Sequence, residues 1–205
     1  MTVRTAAGPV GTALAALLLH TGSPPPLVGQ EADLDGVGVV VGDPSAPITV
    51  VEYADFACGA CATFALTTWP AVFRDYVETG QVQWRLVFFE LGFRNSEKGA
   101  RAGQCAARQN RFWEMHDALY ARRHEWVDER KAHERLEAMA ADVGLNMEDY
   151  RRCFDDDDAE DQRKAANRAA REDGIRGTPT FFINGFRVQG ALPQAAFQAL
   201  LVPPS

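Results

Sequence analysis

The pair Cys58-Gly59-Ala60-Cys61 stands where the chain turns from strand-like to helix-like sequence, and that junction restricts the folds open to it. Before it, residues 48–53 (ITVVEY) are β-branched and apolar, the composition of a buried central strand. After it, Phe64, Leu66, Trp69, Val72, Phe73, Tyr76 and Val77 recur at spacings of mostly three and four, which predicts a helix. Pro70 inside that run should kink it, and Gly80 closes it. The first turn of a helix leaves backbone N–H groups unpaired and carries the positive end of the helix dipole. A thiolate gains from both, so a thiol that ordinarily ionises near ~8.5 can fall to ~3.5–7 in motifs of this kind. Cys58 is therefore expected to be a nucleophile. Cys61, one turn along on the same face, is placed to resolve a mixed disulfide. Two other readings are half of a zinc site and a purely structural bridge. Zinc would need further ligands, yet there is no second CxxC, and His116, His124 and His133 are scattered. Placement between strand and helix counts against both readings.

The rest of the chain supplies more elements. Residues 37–41 are a short β-branched run, and 42–47 (GDPSAP) read as a turn. Residues 82–89 (VQWRLVFF) predict a second strand. From 95 to 173 the composition is rich in Ala, Glu, Arg and Leu, and predicts three or four helices with breaks near 125–128, 144–146 and 154–158. Phe112, Trp113, Met115 and Leu119 fit a core face there, and His116 fits that helix's packing or surface. Residues 155–158 are an acidic run, read as a solvated loop or helix start. Gly177-Thr178-Pro179 then leads into a strand at 180–183 (TFFI), Asn184-Gly185 signals a two-residue hairpin, and 186–189 is the return strand. A final helix is expected over 193–201, with Pro193 in its first turn.

A chain of 205 residues suffices for one good-sized domain, or one domain with a large insertion. With 21 basic and 28 acidic residues the net charge is −7, which excludes a general nucleic-acid or anionic-membrane binder. The first 35 residues differ in character. Arg4 is the sole charge before Glu31, residues 10–19 (VGTALAALLL) are apolar, and a polar, proline-rich stretch follows. That order matches a secretory signal peptide leading into a linker over 21–35, an uncleaved N-terminal anchor being the alternative. The apolar run falls short of the ~20 residues a membrane span needs. An even count of four cysteines suits an exported chain. No phosphate-binding glycine loop is present.

Residues 53–61 together with 177–185 (GTPTFFING) resemble the thioredoxin superfamily, specifically its DsbA-like branch. Residues 42–61 (GDPSAPITVVEYADFACGAC) are similar to that branch's opening strand and active site, and 111–120 (RFWEMHDALY) to a helix of its insertion. The likeness runs over roughly 39–201. It implies an α/β, thioredoxin-like fold with a helical insertion domain. The first half would cover 36–94 with the CxxC, the insertion 95–173, and the second half 174–205 with the cis-proline loop, after the signal or anchor and linker of 1–35. It implies that Pro179 is cis and packs beside the cysteines, with the Thr178 backbone pairing with an extended substrate. It makes Glu52 a buried proton relay to the resolving cysteine, against the alternative of a solvated glutamate on an edge. Asp55 reads as a weaker candidate or as a cap of the following helix. For Cys105 and Cys153 the family implies a structural disulfide within the insertion; a second redox pair and two free thiols are the alternatives. Paired, they would close a loop worth ~4 kcal/mol.

The function so implied is that of an exported protein thiol–disulfide oxidoreductase, working as a dithiol oxidase in the periplasm, cell envelope or outside the cell. Its partners would be substrate proteins with cysteine thiols or disulfides and a membrane protein that reoxidises it, with no bound cofactor, metal or nucleic acid. Gly59-Ala60 departs from the Pro-His and Pro-Tyr pairs common in such oxidases and supplies no imidazole. A disulfide reductase or isomerase therefore stays open. So does a peptide-holding chaperone with an inert Cys58–Cys61 bridge. A detoxifying enzyme such as a kappa-class glutathione transferase is disfavoured, because those sites commonly use Ser.

Overall fold

A computed structural model of the chain describes residues 31–32, 38–172 and 174–203. The expected signal or anchor lies outside these residues. Among the described residues no helix is long and apolar enough to cross a membrane.

A six-stranded sheet forms the framework. Its strands are β1 (Glu31–Ala32), β2 (Gly38–Val41), β3 (Ile48–Ala54), β4 (Val82–Phe88), β5 (Thr180–Ile183) and β6 (Phe186–Gln189). Their spatial order is β1-β2-β4-β3-β5-β6. The β-branched run that becomes β3 takes a central place, parallel to β4 and antiparallel to β5. The linker expectation is corrected at one point: Glu31 and Ala32 pair with Val40 and Val39 and add an edge strand. Two residues are too few to leave a periodic signal. Asn184 and Gly185 turn β5 into β6 with positive φ at both positions (47° and 85°), as a tight primed hairpin requires.

Register fixes which side chains share a face. Glu52 pairs with Leu86 on one side and Phe181 on the other, while Val50 pairs with Trp84 and Ile183. These residues stand together because cross-strand partners point the same way. That face is covered by α1 (Gly59–Thr67) and α8 (Gln194–Gln198): Phe64 stacks on Trp84 and meets Phe181, and Phe197 touches all three rings. On the other face a smaller cluster gathers Phe89, Ala170 and Ile175 against Tyr53, Leu91 and Phe182.

The helix after the cysteines breaks just before Pro70. α1 stops at Thr67, and α2 (Trp69–Val72) runs into a π-helical turn over Phe73–Val77. Between β4 and β5 lie α3 (Ser96–Ala107), α4 (Phe112–Ala121), α5 (Ala132–Asp142), α6 (Met147–Phe154) and α7 (Asp157–Glu172). Five helices thus replace the expected three or four. The unforeseen break follows Ala107, where Asn110 takes a left-handed conformation (φ 56°) with neither Gly nor Pro to announce it. The final helix is shorter than expected, and Pro193 is its N-cap rather than part of its first turn. His116 is buried among Phe56, Trp69, Phe112, Trp113 and Tyr120.

Candidate active site

β3 ends at Ala54 and α1 begins at Gly59, so four residues must reverse the chain. Asp55 organises them. Its carbonyl accepts from Cys58 N–H at 2.9 Å and its Oδ1 from Ala57 N–H at 2.8 Å. Its Oδ2 accepts from Leu91 N–H at 2.8 Å and from the Ser96 hydroxyl at 2.5 Å. Asp55 is therefore no cap of α1. It ties the turn to the segment after β4 and to the start of α3. Burial pushes its carboxyl up, against the pull of Ser96, the two amides and Arg123.

Cys58 itself holds the N-cap position, with extended backbone (φ −77°, ψ 126°) and no side-chain oxygen to fill the role. It makes no side-chain capping hydrogen bond, but its sulfur lies under the influence of the amides that open the helix. The Cys61 thiol facing it, the Thr178 hydroxyl and the amides of Cys61 and Ala60 all favour the thiolate, and against the cost of burial they lower the Cys58 thiol to about 6. When protonated, Cys58 donates to the Thr178 carbonyl at 3.4 Å. Cys61 is displaced in the opposite direction. It is 1% exposed, and burial first, then Cys58 and Glu52, push its thiol well up. Both cysteines are free thiols in the structure.

Thr178–Pro179 is a cis peptide that brings the start of β5 beside Cys58. Pro179 is buried, and its carbonyl accepts from Gly190 N–H at 2.9 Å. The Thr178 hydroxyl is buried and meets no hydrogen-bond geometry among the described residues, which leaves it to favour negative charge on the two sulfurs.

Glu52 is 4% exposed in the sheet's centre, which overturns the solvated alternative. Trp84 Nε1–H donates to its Oε2 at 3.2 Å, and burial, the larger influence, raises the carboxyl to about 8. Tyr120 is buried too, its hydroxyl without a hydrogen-bond partner among the described residues. Burial, then Cys61, Glu52 and Asp55, push that hydroxyl well up. Cys105 and Cys153 form a disulfide (S–S 2.06 Å) joining α3 to α6. Among the described residues no group of His, Cys, Asp and Glu could hold a metal ion.

Sequence reasoning missed Trp84, Ser96, Tyr120 and Arg123. Trp84 could have been found from strand alternation alone, since it shares Glu52's face once the register is known. Nothing local marks the other three.

Residues 35–202 match the thioredoxin family model described as Thioredoxin. "Probable disulfide bond formation protein D" of Bacillus cereus is 26% identical over 149 residues, 71% of this chain and 69% of that protein. Oxidised BdbD from Bacillus subtilis superposes with a TM-score of 0.72 at 21% identity, over 85% of this chain and 96% of that one. The alpha-DsbA1 of Wolbachia pipientis gives 0.72 at 24% identity, over 79% and 87%. A family match over most of the sequence, on a sheet that sets a CxxC against a Thr-Pro loop, means that the chain belongs to the thioredoxin family, with a DsbA-like fold and the activity of a protein thiol–disulfide oxidoreductase.

Proposed function

We propose that the exchange runs through Cys58 as nucleophile and Cys61 as resolving thiol, and that the protein works as an exported dithiol oxidase. The observation that carries this reading is the asymmetry of the pair. A thiol lowered to about 6 is about nine-tenths thiolate at pH 7, while its partner stays protonated. In the forward reaction a substrate thiolate attacks Cys58 Sγ of the oxidised pair. The Cys58–Cys61 bond breaks and its electrons leave on Cys61 as a thiolate. Cys61, whose thiol lies well up, takes a proton from Glu52, which burial keeps protonated at neutral pH. A second substrate thiolate then attacks the substrate sulfur of the mixed disulfide and expels Cys58 as the thiolate. The substrate gains a disulfide and loses two electrons to the cysteine pair.

The same stabilisation favours the oxidising direction, because it lowers the energy of the reduced enzyme. Thr178 and Pro179 serve substrate binding in this reading: once Cys58 is engaged with substrate sulfur, the Thr178 carbonyl is left for an extended substrate backbone. The Cys105–Cys153 bridge holds the helical insertion (95–173) between the halves at 36–94 and 174–205. A membrane protein reoxidises the enzyme, and the apolar run at 10–19 directs or anchors it outside the cytoplasm.

Gly59-Ala60 favours a second reading, a reductase or isomerase on the same site, since neither side chain adds a charge-stabilising group. Equilibration with glutathione decides between them. A potential near −120 mV fits the oxidase, and one near −270 mV a reductase.

A further inference from the structure

Arg123 opens the 3₁₀ turn Arg123–Glu125 that follows α4, far in sequence from the cysteines. Its side chain crosses from the helical block to the turn before α1. Nε and Nη2 both donate to the Ala57 carbonyl, at 2.8 and 2.5 Å. Ala57 is fully buried. The peptide joining Ala57 to Cys58 is a rigid plane. Arg123 grips that plane by its carbonyl, and the Asp55 carbonyl grips it by the Cys58 N–H at 2.9 Å. With both ends held, the Cys58 sulfur has only rotations within its own residue left. The adjoining peptide is fastened too, since Ala57 N–H is bound by Asp55 Oδ1. The exchange mechanism makes no use of Arg123.

We propose that Arg123 is a positioning residue for Cys58. By forking onto the Ala57 carbonyl, it sets the extended N-cap backbone that aims the sulfur at the Ala60 and Cys61 amides. This rests on the reading of Cys58 as nucleophile. Two donors on one acceptor need a guanidinium; a lysine ammonium supplies a point charge without the fork. The helical block therefore contributes directly to the reactivity of a thiol that lies outside it.

The test is a thiolate titration by ultraviolet absorbance on the reduced full chain, in wild type, Arg123→Met and Arg123→Lys, with melting temperatures recorded alongside. Methionine keeps the apolar stem and removes every donor. The Cys58 midpoint should rise by about one unit in R123M and by less in R123K. Attack on a small disulfide at pH 6 should fall about twofold in R123M, the smaller thiolate fraction being partly offset by the greater nucleophilicity of a more basic thiolate. A purely structural role would lower the melting temperature and leave the midpoint of the folded protein unmoved, and unmoved midpoints in the folded variants overturn the proposal. A wild-type midpoint in the ordinary thiol range would instead overturn the reading of Cys58. If the variants do not fold, wild type alone decides. The Arg123 Nε–H resonance should shift with the Cys58 midpoint, and a resonance flat across it overturns the proposal.

Discussion

The buried carboxylic acid that acts on Cys61 is the residue most open to test. Glu52 is raised to about 8 by burial, while in the unfolded chain it returns to the ordinary carboxylate range. A folded-state pKa raised in this way gives stability that is full below the unfolded value and is lost as pH rises through the folded one. The loss should run from about pH 4 to about pH 8 and reach at most roughly 5 kcal/mol. Glu52→Gln keeps an acceptor for Trp84 and does not titrate, so its advantage over wild type should be near zero at pH 4 and grow to several kcal/mol by pH 8.5. Denaturant unfolding at the two values measures this, and an advantage independent of pH would show that Glu52 is not held protonated. The same substitution should slow net formation of the mixed disulfide, because the Cys61 thiolate expelled from Cys58 then loses its proton donor. Glu52 was legible as a candidate from its place in the strand before Cys58. Its burial was not, because alternation tells which residues share a face but not which face is covered. Asp55 misled for a related reason. A cap is read from local spacing, whereas only one side-chain partner of Asp55 is local, Ala57 N–H, and the two on its Oδ2, Leu91 N–H and Ser96, lie 36 and 41 residues away.

At the level of elements, α3 approaches the active-site turn closely because two of its residues lack side chains. A Cβ on Gly99 would sit 2.5 Å from Trp126 Cη2 and 3.2 Å from Phe56 Cβ, and one on Gly103 would sit 2.8 Å from Phe56 Cε2. The rings there are fully buried or nearly so and cannot retreat. Gly99→Ala should therefore cost about 1–3 kcal/mol despite the better helix propensity of alanine, as read from thermal or denaturant unfolding. A stabilised G99A would mean that α3 and the Phe56 turn are not in tight contact. The junction strand–CxxC–helix, the break before Pro70 and the Asn184-Gly185 hairpin could each be read from adjacent residues, since a period, an imino ring and a primed turn are local matters. The break at Asn110 could not, because no Gly or Pro marks it. Nor could β1, which exists only because Val39 and Val40 offer it an edge.

For the molecule as a whole, the bridge between Cys105 of α3 and Cys153 of α6 joins residues 48 apart in sequence. Closing a loop of that size restricts the unfolded chain, so C105A/C153A should lose about 2–4 kcal/mol in unfolding under conditions where wild type keeps the bridge. An unchanged midpoint in denaturant would contradict this. The thioredoxin-like layout was legible from element order and the two motifs. The way the insertion reaches back to the active-site turn was not, since the Arg123–Ala57 contact spans 66 residues with no pattern at either end. In the proposed exchange the whole arrangement delivers one reactive thiol and one quiet one, set by a helix start, a Thr-Pro loop and a buried acid. The most direct measurement is the pH dependence of alkylation of the reduced protein, with each modified cysteine located by mass spectrometry. Cys58 should be labelled with a midpoint of about 6 and Cys61 should stay unlabelled through neutral pH. Equal labelling of the two with a midpoint near ~8.5, or earlier labelling of Cys61, would contradict the assignment of Cys58 as the nucleophile.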